Sequence, residues 1–237
     1  MKRAAILPMI SLLIMALALS ACGLLQEPEK AGGPIEAIPL ETQPAGAITQ
    51  PGDPATGAGS ATVFTLDPSG SEVRFQLDED LRGLRNTVVG TTNQVAGQLS
   101  VDLADLSQVQ VGVIQINART LTTDSSMRNR TMQNQILDAG TYEFITFTPT
   151  GIQGLPASAT VGESISFTIV GDLTIRDITQ PVTFDVQATA VSDRQITGTA
   201  AAVVNRTDFG LGIPSVPGVA NVDEQVQLSI TFIANAS

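Results

Sequence analysis

The sequence predicts one all-β domain, an antiparallel barrel or sandwich, behind a leader and a linker. Three observations predict it. From Phe64 onward apolar residues recur at every second position, as in strands with one buried face. Only one stretch, Ser125 to Leu137, carries a helical spacing. All nine aromatic residues lie beyond residue 61, so the first quarter of the chain lacks the large apolar side chains that build a core.

The N-terminus reads as an address. Lys2 and Arg3 precede an apolar run from Ala4 to Ala18, the charged and apolar regions of a secretory signal. The run is shorter than the roughly 20 apolar residues of a membrane-spanning helix, and a polar tract begins at Gln26. It ends in Leu19-Ser20-Ala21-Cys22, which resembles the lipobox cut by lipoprotein signal peptidase just before the cysteine. An ordinary signal peptide with an incidental cysteine is the competing reading. Cys22 is the only cysteine, so it has no intramolecular disulfide partner, and an exported protein seldom keeps an exposed thiol without a use for it.

The lipobox resemblance implies that residues 1–21 are removed and that Cys22 is the lipid attachment site. Acyl chains contributing roughly 0.8 kcal/mol per buried methylene would then anchor the mature chain. The expected location is the periplasm or the cell exterior, at a membrane. Residues 22–61 are expected to be a flexible linker: seven glycines and six prolines fall between Gly23 and Ala61, with almost no apolar periodicity. The domain is expected over 62–237, enough chain for a barrel or sandwich without disulfides.

Within the domain, Val73, Phe75 and Leu77 share one face of a first clear strand. Val95, Leu99, Val101 and Leu103 mark another, with Gly97 in the same row where a bulge or a close backbone approach fits. Val109, Val111 and Val113 share a face, but Ile114 and Ile116 continue on the other, so a bulge is expected there. After the helix, for which Asp124 or Thr123 is the expected cap, Ile165, Phe167, Ile169, Leu173 and Ile175 keep one parity through Gly171. Arg176 to Gln180 are expected to turn the chain, with Pro181 at the first position of the next strand, which carries Val182, Phe184 and Val186. Ile196 to Val204 reads as a strand of small inward residues, and Val226, Leu228, Ile230 and Phe232 make the last.

Composition removes several functions. The formal net charge is −11, and residues 62–237 carry nine arginines against 18 acids, so nucleic acid is a poor partner and anionic headgroups offer no attraction. With no histidine, no Ser/His/Asp or Cys/His pair can form and zinc sites drawn from His and Cys are excluded, so no catalytic residue, metal or cofactor is expected. Asp78-Glu79-Asp80 is the densest acidic group and reads as solvated turn residues rather than a calcium or acid/base site. A carboxylate-based glycoside hydrolase would lack any tryptophan platform. Asp208-Phe209-Gly210-Leu211-Gly212 has neither the lysine nor the helix of a phosphate loop and reads as a tight turn.

Three stretches together resemble the YceI-like family of lipid- and polyisoprenoid-binding domains. The first is Gly171-Asp172-Leu173-Thr174-Ile175-Arg176-Asp177-Ile178-Thr179-Gln180-Pro181-Val182, similar to that family's central hairpin. The second is Asn205-Arg206-Thr207-Asp208-Phe209-Gly210-Leu211, followed by Val222-Asp223 and the last strand. The third runs from Ser125 through Leu137-Asp138 to Phe147. The resemblance spans nearly all of Thr62 to Ala234. It implies an eight-stranded, antiparallel, lipocalin-like barrel with one short helix, whose apolar channel takes a long isoprenoid or other long-chain lipid, and it does not imply an enzyme. Departures are the missing histidine around Gln76 to Leu81, Asp177 where glycine is common, and a Gly-, Thr- and Asn-rich insertion from Leu81 to Gln94 near the expected mouth.

A barrel of about eight strands holds either packed side chains or one small ligand. Small residues such as Ala200 and Ala202 would open a cavity or make room for Phe167 or Phe184. The candidate ligand-lining residues are Phe75, Phe144, Phe167 and Phe184, each also readable as plain core. The expected function is a membrane-tethered carrier or sequestering protein for an amphiphilic lipid. A surface-displayed interaction module without an internal ligand is the alternative, and a carboxylate enzyme ranks third.

Overall fold

The computed structural model describes residues 27–40 and 61–237. The leader and Cys22 lie outside the described residues. The strands are β1 (Thr62–Leu66), β2 (Glu72–Leu81), β3 (Leu84–Thr92), β4 (Val95–Ala96), β5 (Gln98–Val101), β6 (Gln110–Val111) and β7 (Ile114–Asn117). Helix α1 (Ser126–Thr131) follows, then β8 (Phe144–Gln153), β9 (Ser164–Ile175), β10 (Ile178–Ser192), β11 (Gln195–Asn205), β12 (Val219–Ala220) and β13 (Gln225–Ala236).

These strands form one 13-stranded sheet with antiparallel pairing throughout. β1 and β2 lie along successive parts of β13, β3 to β5 form one run of chain, and β6 and β7 another. Joined in this way they amount to about eight strands, as a lipocalin-like barrel requires. The run from β3 to β5 pairs with β2 and β1 on one side and with β7 and β6 on the other, so the sheet curls back on itself. The supposed insertion from Leu81 to Gln94 is mostly β3, turned at Arg82-Gly83 and supported by the β-branched residues Thr87, Val88, Val89, Thr91 and Thr92.

Local expectations meet the structure unevenly. Ladder pairing breaks between β6 and β7, which lets Val111 and Ile114 both face the interior despite opposite parity. At Gly97 a Cβ would stand 2.4 Å from Ile114 Cδ1, the close approach expected of this glycine. The helix is capped by Ser125, whose hydroxyl accepts the Arg128 N–H at 3.4 Å, not by Asp124 or Thr123. Thr123 is held by Asn129 and Asp124 by Arg128, which leaves Ser125 free to cap. A π turn, Met132–Ile136, extends α1. Pro181 is the fourth residue of β10, not the first, because only Arg176 and Asp177 make the turn. β11 pairs with β10 only from Asp185 on, so Pro181 has a strand neighbour on one side alone.

The core divides in two. At one end Phe64, Leu66, Val95, Val101, Ile196 and Ala234 pack together, and at the other Leu121, Met132, Leu137, Phe147, Leu173, Val182 and Phe209 do so beneath the helix. Three wall glycines face large inward rings. A Cβ at Gly90 would stand 2.1 Å from Phe75 Cε1, one at Gly198 2.6 Å from Phe232 Cζ, and one at Gly171 2.6 Å from both Phe147 Cζ and the Thr148 carbonyl. Backbone as well as a ring crowds Gly198, where the Gln187 carbonyl would stand 2.4 Å away, and Gly171; Gly171→Ala should therefore destabilise the fold by about 1–3 kcal/mol, measured as a fall in the denaturant midpoint at constant slope.

Part of the expected linker lies against the barrel. Ile35 is buried, and its N–H donates to Gln94 Oε1 at 3.4 Å. Gly32 N–H and Asn117 Nδ2 both donate to Glu143 Oε1 at 3.0 Å, while Arg119 Nη1 pairs with Glu143 Oε2 at 3.0 Å and reaches the Lys30 carbonyl at 3.2 Å. The Gly32 N–H is the first cause holding the Glu143 carboxyl below its usual range; Asn117 and Arg119 add to it, and burial opposes it. A carboxyl depressed by docking favours the docked state above its ordinary value and loses that preference as pH falls through the depressed one. Amide exchange at Gly32, corrected for intrinsic rate, should therefore rise as pH drops below the ordinary carboxylate range, and Glu143→Gln should abolish the pH dependence.

Candidate functional site

Between the two halves of the core lies a cavity of about 640 Å³, within the roughly 300–1,000 Å³ typical of small-molecule sites. Its wall is built by strand alternation. β2 contributes Val73, Phe75, Leu77, Glu79 and Leu81; β9 contributes Phe167, Ile169 and Leu173; β13 contributes Val226, Leu228, Ile230 and Phe232. β10 and β11 add Phe184, Val186, Ala188, Ile196 and Ala200, whose two alanines leave width at mid-barrel. Phe147 and Phe184 meet edge to face, their centroids 4.9 Å apart, at the helix end.

The mouth is formed by α1, the β2–β3 turn and the loop from Leu211 to Val222. Arg206 holds that loop by donating to the carbonyls of Leu211 at 2.9 Å, Asp223 at 3.0 Å and Val222 at 3.4 Å. Leu81, Met127, Ile213 and Val216 share the opening with Arg82, Asp124 and Arg128. Met127 on α1 is 70% exposed, and Leu84 at the hairpin tip is 75% exposed.

Three of the four expected lining residues, Phe75, Phe167 and Phe184, face the cavity. Phe144 does not. It is 39% exposed, because Ile145 and Phe147 take the inward face of β8 and put Phe144 on the other. Phe147 and Phe232 complete the aromatic lining, and Phe232 stood in the inward row already legible in the last strand.

The acidic triplet is not a solvated turn. It lies within β2, so alternation separates its members. Asp78 accepts from Thr87 Oγ1 at 2.6 Å, and Asp80 accepts from Asn221 Nδ2 at 2.6 Å, both on the outer face near Arg85. Glu79 points inward and is only 5% exposed. Its Oε1 accepts from Arg128 Nη2 at 2.9 Å and from Asn86 Nδ2 at 3.2 Å. Arg128 also pairs with Asp124. One ion pair thus ties α1 to the β2–β3 hairpin at the rim of a largely apolar chamber. Among the described residues no three Asp, Glu or Cys side chains gather as a metal site.

Comparisons with known proteins agree with this architecture. The family profile of the YceI-like domain matches residues 64–234. A UPF0312 protein of Staphylococcus aureus (strain MSSA476) is 27% identical over 156 residues, 63% of this chain and 82% of that protein. A UPF0312 protein of Vibrio vulnificus (strain YJ016) is 22% identical over 161 residues, 68% of this chain and 80% of that protein. Among solved structures, a polyisoprenoid binding domain from Saccharophagus degradans, implicated in plant cell wall breakdown, superposes with a TM-score of 0.60 at 14% identity, covering 74% of this chain and 99% of that one. Burkholderia cenocepacia BcnA gives a TM-score of 0.57 at 21% identity, over 72% of this chain and 99% of that one. With a matched profile over 64–234 and the barrel that such folds share, the chain belongs to the YceI-like domain family.

Proposed function

We propose that this protein binds a long-chain lipid, an isoprenoid or similar amphiphile, in its barrel interior and holds or carries it outside the cytoplasm while tethered to a membrane through acylated Cys22. The observation that carries the reading is the largely apolar cavity of about 640 Å³ at mid-barrel, open at one end through a mouth where apolar side chains stand beside charged ones. Burying each methylene contributes about 0.8 kcal/mol, so a few isoprene units offset the several kcal/mol lost on association. The likeness to a domain described as polyisoprenoid binding supports the ligand class. The lipobox-like Leu19-Ser20-Ala21-Cys22 supports the tether, and the chain-length apolar surface of the chamber supports binding rather than catalysis as the domain's role.

Native mass spectrometry with organic extraction, on the full-length protein purified from a bacterial host, tests the ligand. A stoichiometric isoprenoid or fatty lipid is expected. An empty protein that also refuses added polyprenyl lipids would transfer the reading to a surface interaction module. Ala200→Phe, which fills the lumen from β11, should lower lipid occupancy several-fold while the melting temperature moves by only a few degrees. Cys22→Ser should abolish incorporation of an alkynyl fatty acid and release the protein from the membrane fraction.

A further inference from the structure

The interior holds one polar feature that packing does not explain. Along β2 the inward row is Val73, Phe75, Leu77, Glu79 and Leu81, so a carboxylate replaces an apolar side chain two residues below the rim. Removing a carboxylate from water is costly unless its oxygens find donors. Glu79 meets that need only in part. Both of its hydrogen bonds, from Arg128 and Asn86, fall on Oε1. Oε2 accepts none among the described residues, although Glu79 is 5% exposed and lines the cavity.

Tying α1 to the hairpin requires only Oε1. The second oxygen therefore stands as a strong acceptor facing a chamber whose wall is mostly apolar, its other charged side chains being Arg74, Arg82, Asp124, Arg128 and Arg206. Arg128 does not reverse the local sign, since its guanidinium is shared between Glu79 and Asp124. Of the other arginines that line the cavity, Arg206 directs its donors to backbone carbonyls, Arg74 donates to Gln76 at 2.8 Å, and Arg82 lies exposed at the β2–β3 turn. A ligand tail running down past Leu77 and Phe75 would leave its polar end level with Glu79.

Resting on the lipid reading above, we propose that Glu79 is the headgroup acceptor of the barrel: its free carboxylate oxygen takes a hydrogen bond from the ligand's polar end, selecting long-chain lipids whose headgroup donates, such as alcohols and amides, over phosphates and carboxylates. The anionic headgroups lack a donor when ionised and bring a second negative charge against Glu79. An esterified chain has neither the donor nor the repulsion, which makes it the reference for the hydrogen bond alone.

The test is competitive native mass spectrometry on the full-length protein with an equimolar mixture of geranylgeraniol, geranylgeranyl acetate and geranylgeranyl monophosphate, at a pH where the phosphate is fully ionised. The alcohol should occupy the protein about tenfold or more over the acetate, the size expected for one hydrogen bond to a charged acceptor, and at least as strongly over the phosphate. Glu79→Gln should reduce the preference for alcohol over acetate to about twofold and raise the share of phosphate. Equal occupancy of the three lipids, or a lead for the phosphate, overturns the assignment and leaves lipid binding intact. Selectivity unchanged in a folded Glu79→Gln variant also overturns it. Should that variant not fold, the competition on the unaltered protein decides by itself. Binding of none of the three overturns the lipid reading and this assignment with it.

Discussion

Inward phenylalanines lying against glycines of the wall keep the barrel hollow. A ring of about eight strands encloses a space that ordinary apolar side chains can fill completely. Here Phe75 rests on Gly90 and Phe232 on Gly198, each glycine directly across the ladder from its ring, and Phe147 rests on Gly171. Without a Cβ at those positions the rings pack flat along the wall instead of crossing the axis. The core then separates into a cluster at the closed end and another beneath the helix, with the chamber between them.

Two arginine–glutamate nodes organise the periphery of that chamber. Arg128 and Glu79 join α1 to the β2–β3 hairpin at the rim, and Asn86 completes the contact. Arg119 and Glu143, with the almost fully buried Asn117, join the start of β8 to the end of β7 and seat residues 27–40 on the outside. Each pair is partly or largely shielded from water and carries extra hydrogen bonds, the setting in which losing one partner strands the other's charge. The first node faces the interior and bears on what enters; the second faces outward and bears on how the preceding segment lies on the domain.

Much of the fold was legible in period two. The inward rows of β2, β9, β11 and β13 follow the alternation seen in the sequence, and the parity switch at Val113-Ile114 and the tight packing at Gly97 appear where the pattern changes. Phe144 failed because a lone phenylalanine at the head of a strand gives no parity by itself. Ile145 and Phe147 decide the face, and that decision depends on the pairing of β8 with β7 and β9. The triplet Asp78-Glu79-Asp80 read as surface because three acids in a row look solvated. Once β2 is seen to run through them, the same alternation that buries Leu77 buries Glu79.

By itself the sequence determined that this chain makes an all-β fold with one helical excursion, that its strands begin near residue 62, and that histidine- and cysteine-based chemistry is absent from them. These follow from local pattern and composition, which need no knowledge of what packs against what. Only the tertiary structure decided that the interior is open, that Glu79 faces it, and that residues 27–40 lie along the barrel. Those depend on cross-strand register and on contacts such as Phe75 with Gly90, Arg128 with Glu79 and Gly32 with Glu143, between residues far apart in the chain or on opposite strands, and alternation along one strand does not encode which partner stands across from it.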